Sequence, residues 1–343
     1  MGVVGHFYRI KMFGICFIIL FCFRYSFPNH SKTENTEIFN LIIDQDYEGA
    51  RRLTNERLSA NPRDFDALYY SLTIEQTKIL DYESYSIEGK RFNRFADSVL
   101  NELQCKAAML NGEDSLRCVF YIANILGSIG LTEAKMGSRL DGARKAHASA
   151  AMLRDILDKN PDFTAANHGI GVFDYYLGNS LSWVPFVGNR AQRGLKMLWA
   201  ALDAPSPFNY AAKNSLCWIL IEKGEYCKAD SLASLVLEVS PRNSIFLKIK
   251  ALAALRSGRY NDAIPLAVRL IELSEIRNPI NWSDLVTGYY ILVKSYEYTG
   301  KGARALKKSE KILTTAVPDE FKKIPHVERQ LEYLEKTRIT FQE

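Results

Sequence analysis

One spacing dominates the chain. KGEYCKADSLASLVLEVSPRN is followed by SGRYNDAIPLAVRLIELSEIRNP, and Gly224/Gly258, Tyr226/Tyr260 and Ala229/Ala263 are each 34 residues apart. Three coincident spacings of one length mark an internal repeat, a unit that buries its apolar face only by stacking on its neighbours. Within the first copy, Tyr226, Ala229, Leu232, Ala233 and Val236 fall on one face of a helix, and no comparable run alternates with period two. The expected fold class is therefore all-α.

A period of 34, a turn glycine, an aromatic two residues later, an alanine five later and a proline after the second helix resemble the tetratricopeptide repeat (TPR), a helix-turn-helix unit. Pro241 lies twelve residues after Ala229, where that pattern has its proline. A first copy occurs at NLIIDQDYEGARRLTNERLSANP, where Tyr47, Ala50 and Pro62 keep the spacing but Gln45 replaces the turn glycine. A last copy carries Gly300, Ala305 and Pro318, with Gly302 at the aromatic position. Gly300 is 42 residues after Gly258, so about eight residues around EIRNPINW are inserted. Pro265 interrupts the second helix of its unit and is expected to kink it.

The resemblance implies a TPR-like α-solenoid of stacked antiparallel helix pairs, irregular in its middle third. Helical periodicity there runs over 64–80, 92–110 and 115–134, with YESYSIEGKR expected to separate the first two. Four segments are expected: 1–27, 31–162, 163–208 and 209–343. Residues 163–202 form a helix, an aromatic loop with Trp183, Pro185 and Phe186, and a second helix; this stretch faintly resembles the insertion-bearing repeats of the inclusion-body-clearance family of TPR-like proteins.

The N-terminus reads as an export signal. Arg9 and Lys11 precede the apolar run MFGICFIILFCF at 12–23, shorter than the roughly 20 residues of a spanning helix. No small-x-small site follows, so a cleaved signal peptide and an uncleaved anchor both stand, and the expected location is exported, periplasmic or anchored facing the periplasm. Cys105, Cys118, Cys217 and Cys227 lie in helical patterns without C-x-x-C spacing, the usual setting of buried thiols.

With 44 Lys plus Arg against 39 Asp plus Glu, a formal charge of +5 scattered along the chain, nucleic acid is not an expected partner. No G-x-S-x-G, H-E-x-x-H or P-loop sequence occurs, and His168-Gly-Ile-Gly171 lies in a helical pattern without the preceding strand that a phosphate loop needs. The expectation is a non-catalytic scaffold with no cofactor, metal or small-molecule substrate, holding a protein or peptide partner. The resemblance places the groove at Asn214, Trp218, Lys248, Leu252, Tyr290 and Lys294. Two alternatives stand beside it: a helical-repeat enzyme with a pocket from His168 to Trp183, and a membrane-associated factor using Trp183 and Phe186.

Overall fold

The computed structural model describes residues 32–180, 189–204 and 208–342. The segment 1–27 expected to direct export, the expected aromatic loop with Trp183 and Phe186, and residues 205–207 lie outside the described residues.

Among the described residues the chain is helical, without strands, and runs as antiparallel pairs. These are α1 (Lys32–Ile43) with α2 (Tyr47–Ala60), α3 (Phe65–Tyr82) with α4 (Tyr85–Ala107), α5 (Gly112–Lys135) with α6 (Arg139–Lys159), and α7 (Ala166–Ser180) with α8 (Asn189–Ala200). There follow α9 (Phe208–Glu222) with α10 (Tyr226–Val239), α11 (Ser244–Arg256) with α12 (Tyr260–Glu275), and α13 (Trp282–Tyr298) with α14 (Gly302–Leu313). A short α15 (Asp319–Lys322) and a terminal α16 (Pro325–Gln342) complete the array. Helix starts are set by side-chain caps: Asp46, Asp64, Asn243 and Asn281 each accept an N–H from the first turn of the helix they precede.

Six of the seven pairs close their internal turn on one residue with positive φ: Gln45, Glu83, Gly137, Gly224, Gly258 and Gly300, at φ 63, 51, 100, 76, 76 and 70°. The left-handed residue leaves the amide after it free to reach back to a carbonyl near the end of the first helix, as Glu225 does to Leu220. Gln45 thus keeps the turn although it is not glycine. Glu83 makes the same turn in two residues, so α4 begins at Tyr85. The stretch YESYSIEGKR is therefore mostly helix, contrary to the expectation of a long separator. Pro265 sits inside α12, which remains one helix across it.

The apolar interior falls into two clusters. One runs from Ile38 on α1 to Ile170 on α7, with Ala204. The other runs from Tyr175 on α7 to Leu334 on α16. The terminal helix α16 lies against α13 and α14, the place that the first helix of a further pair would occupy. Among the described residues one helix, α5, is long and apolar enough to cross a membrane. Most of that window is buried inside the array.

Candidate inner-face site

The groove positions form a register. Asn214, Lys248 and Tyr290 stand ten residues before the left-handed glycine of their units; Trp218, Leu252 and Lys294 stand six before it. Each pair is one helical turn apart on α9, α11 or α13, so all six point to the same side of the array. Their surroundings differ sharply.

In the fifth unit Asn214 and Trp218 are half-buried, and Trp218 rests on the second core. The Asn214 Oδ1 is enclosed without a hydrogen-bond partner among the described residues, as is Asn209 Oδ1 at the start of the same helix. An enclosed amide oxygen left unpaired costs about 1–3 kcal/mol. Close by, the Lys213 ammonium lies 4.9 Å from the Tyr210 ring centre.

In the sixth unit the same positions are closed. Lys248 is 3% exposed, and its Nζ sits 2.7 Å from a carboxylate oxygen of Glu83 and 2.7 Å from one of Asp284. Leu252 is also buried. Burial alone would strip the proton from Lys248, but Asp284 and Glu83 hold it above the ordinary lysine value. Burial alone would likewise raise the Glu83 carboxyl, and Lys248 with His326 of α16 keeps it below the usual range. Asp284 is pushed up by its burial against the pull of Lys248.

In the seventh unit the positions meet α16. The Lys294 Nζ donates to the Tyr290 hydroxyl at 3.1 Å and stands 5.0 Å from the Tyr333 ring centre. The Tyr333 hydroxyl bonds Glu297, and Thr337 donates to Glu297 at 2.7 Å. The register thus brings the six residues to one side, where the chain itself closes over Lys248 and Leu252 and sets α16 against the half-buried Tyr290 and Lys294.

What covers Lys248 was not foreseen from the sequence. The turn residues Gln45 and Glu83 and the inserted residues after α12 meet across the array in a polar seam. The Ser244 amide donates to Gln45 Oε1 at 2.8 Å, and its hydroxyl donates to Asp81 at 3.1 Å. Asn243 Nδ2 donates to the Ile43 carbonyl at 2.7 Å. From the insertion, Arg277 bonds both Asp81 and Gln45, and Asn281 Nδ2 donates to the Asp81 carbonyl at 3.1 Å. The Tyr82 hydroxyl donates to the Pro279 carbonyl at 3.1 Å, and Tyr47 donates to Asp81 at 2.8 Å. The signal for this seam was present as irregularity: each half departs from the repeat, one by losing glycine and one by gaining residues.

Six turns of one left-handed conformation, two of them 34 residues apart at Gly224 and Gly258, decide the architecture. The fold is a TPR-like α-solenoid. No protein-family model matches the chain, and no curated protein matches its sequence. A tetratricopeptide repeat protein from Parabacteroides merdae overlays with 13% identity and a TM-score of 0.40, covering 89% of this chain and 98% of that one. Yeast Tom70 overlays with 12% identity and a TM-score of 0.43, covering 92% of this chain and 66% of that one. Both overlays are loose, and the fold rests on the turns and helix pairs above.

The residues of the enzymatic alternative are placed as follows. His168 Nε2 lies 3.0 Å from the Ser215 hydroxyl, and burial pulls its pKa down to about 4, so the ring is neutral near pH 7. Among the described residues no carboxylate bonds it; the nearby Asp174 is held by Arg154 at 2.7 Å. A nucleophile-base pair without a third group to orient the ring lacks the geometry of acyl transfer. Trp183, the other end of that alternative, lies outside the described residues. The described residues contain no group of three His, Cys, Asp or Glu placed to hold a metal, and all four cysteines between Cys105 and Cys227 are free thiols.

Proposed function

We propose that the chain is a non-catalytic scaffold that holds a protein partner as an extended segment along the inner face of α9. One observation supports this reading. Of the three units that share the register, the fifth is the one whose two positions make no hydrogen bond, ion pair or ring contact with other described parts of the chain, and there Trp218 stands half-buried on the second core beside a half-buried Asn214. An aromatic face at the edge of the core gives affinity to an apolar side chain, and the half-buried Asn214 amide beside it offers a polar group to the partner's backbone. The chain is proposed to work after export, tethered or released by its first 27 residues.

Photo-crosslinking in the native host tests the groove. A photoreactive phenylalanine analogue at Trp218 should yield a discrete protein adduct, the same analogue at the outward-facing Leu235 should not, and Asn214→Ala should weaken the first. Equal labelling at both places would remove the groove. Cell fractionation tests the location: full-length protein in the cytoplasmic fraction, unchanged by deletion of residues 1–27, would contradict export.

A further inference from the structure

The two apolar clusters meet at two places of opposite character. The first runs from α7 to the start of α9: Ile170 belongs to one cluster and Tyr175, five residues on, to the other, and Phe208 on α9 packs its ring against Phe39 of α1 and Phe120 of α5. Glycine dominates this crossing. A Cβ on Gly171 would stand 2.8 Å from the Gly194 carbonyl oxygen, and one on Gly178 would meet the Ala191 backbone, so α7 and α8 touch backbone to backbone. The second meeting place is the seam, which joins residues up to 200 apart along the chain, where one partly buried side chain, Leu80, packs on both clusters and the hydrogen bonds and ion pairs named above make the rest of the contact.

An interface between two apolar bodies that is made of hydrogen bonds and ion pairs has little hydrophobic area holding it shut, and it can exchange its bonds for bonds to water. It also carries strain. Gln45 and Glu83 are the non-glycine residues with positive φ among the described residues, and both send their side chains into the seam. Strained backbone of this kind persists where the surroundings enforce it, and clamps and switches are where it gathers.

We propose that the seam is a reversible clasp and the α7–α8 crossing its hinge. The solenoid interconverts between a closed form, in which the first two pairs cover Ser244 and Lys248, and an open form in which the two bodies part and the inner face of α11 is uncovered. The inference stands apart from the α9 groove, since opening is a property of this chain alone.

Single-molecule energy transfer tests it without any partner. Dyes are placed at Asn55→Cys on α2 and Lys307→Cys on α14, with Cys16, Cys22 and the exposed Cys105 and Cys227 replaced by serine. The unaltered seam should show a dominant short-distance population and a minor long-distance one. The isosteric pair Asp81→Asn and Glu83→Gln should raise the long-distance population roughly tenfold or more, as expected when the buried Asp81 and the partly exposed Glu83 stop pairing with Arg277 and Lys248. A distribution unchanged by those substitutions, in protein whose circular dichroism is native, overturns the clasp. Should the double variant lose helicity, Glu83→Gln alone is read in the same way, and an unchanged distribution there overturns it equally.

Discussion

At the scale of single residues, Glu83 joins two costs that normally exclude each other. A left-handed backbone costs an L-residue about 1–2 kcal/mol, and a carboxylate enclosed among helices needs a cation. Here Lys248 is that cation, with His326 Nδ1 3.3 Å away on the other side. Glu83→Gly relieves the first cost and loses the second interaction, leaving Lys248 with Asp284. The expected net effect is a loss of about 1–3 kcal/mol in urea unfolding; a gain would mean the ion pair contributes nothing. The pH dependence has a definite sign. The folded Glu83 pKa is depressed, so its contribution is present above its ordinary value of about 4.3 and is lost as pH falls through the folded value.

His168 acts in a higher window. Its folded pKa of about 4 lies below the ordinary 6.5, so folding excludes a proton and stability declines as pH drops from 6.5 toward 4. Between pH 7 and 5 the loss should reach up to about 2 kcal/mol, and His168→Gln should lack that increment when urea midpoints are compared. Gln45 shows what a sequence can tell at this scale. It reads as a defect in a turn, and the turn survives; its partner 199 residues away is invisible to any local pattern.

At the scale of elements, the 34-residue units were legible because their determinants are local: a left-handed glycine, a capping side chain and a small residue where helices cross. The middle pairs hide the same determinants. Between α5 and α6 a Cβ on Gly130 would stand 2.7 Å from the Gly142 carbonyl oxygen and 3.0 Å from the Ala146 nitrogen, an approach that no fixed spacing in the sequence marks. Gly130→Ala gains helix propensity of about 1 kcal/mol yet forces the backbones apart. A net loss of about 1–2 kcal/mol is expected, read as a lowered Tm; an unchanged or raised Tm would show that α5 and α6 can separate freely. The start of α4 at Tyr85 was missed for a related reason, since a glutamate is not an obvious residue to reverse a chain in two steps.

At the scale of the whole molecule, the sequence exposes the stack but not how far it curls. Curvature accumulates from small rotations between pairs, none of which has a motif, and here it brings the first two pairs onto the sixth and seventh. That return is why Lys248, read in register as a groove residue, is covered by the chain itself. It also couples the two apolar bodies. Urea unfolding of the native chain should follow one transition, whereas Asp81→Asn with Glu83→Gln should split it into two when fluorescence and circular dichroism are compared. Coincident curves in the variant would mean that the α7–α8 crossing alone enforces cooperativity.

The position of α16 has a bearing on crowding between molecules. Repeat arrays expose at their last unit a raw apolar flank of the kind that accepts another array, and uncontrolled joining of such flanks builds filaments. By lying along α13 and α14, with Tyr333, Thr337 and His326 bonded to α13, helix α16 covers the flank of the seventh pair. A neighbouring molecule could add there only by prising it off.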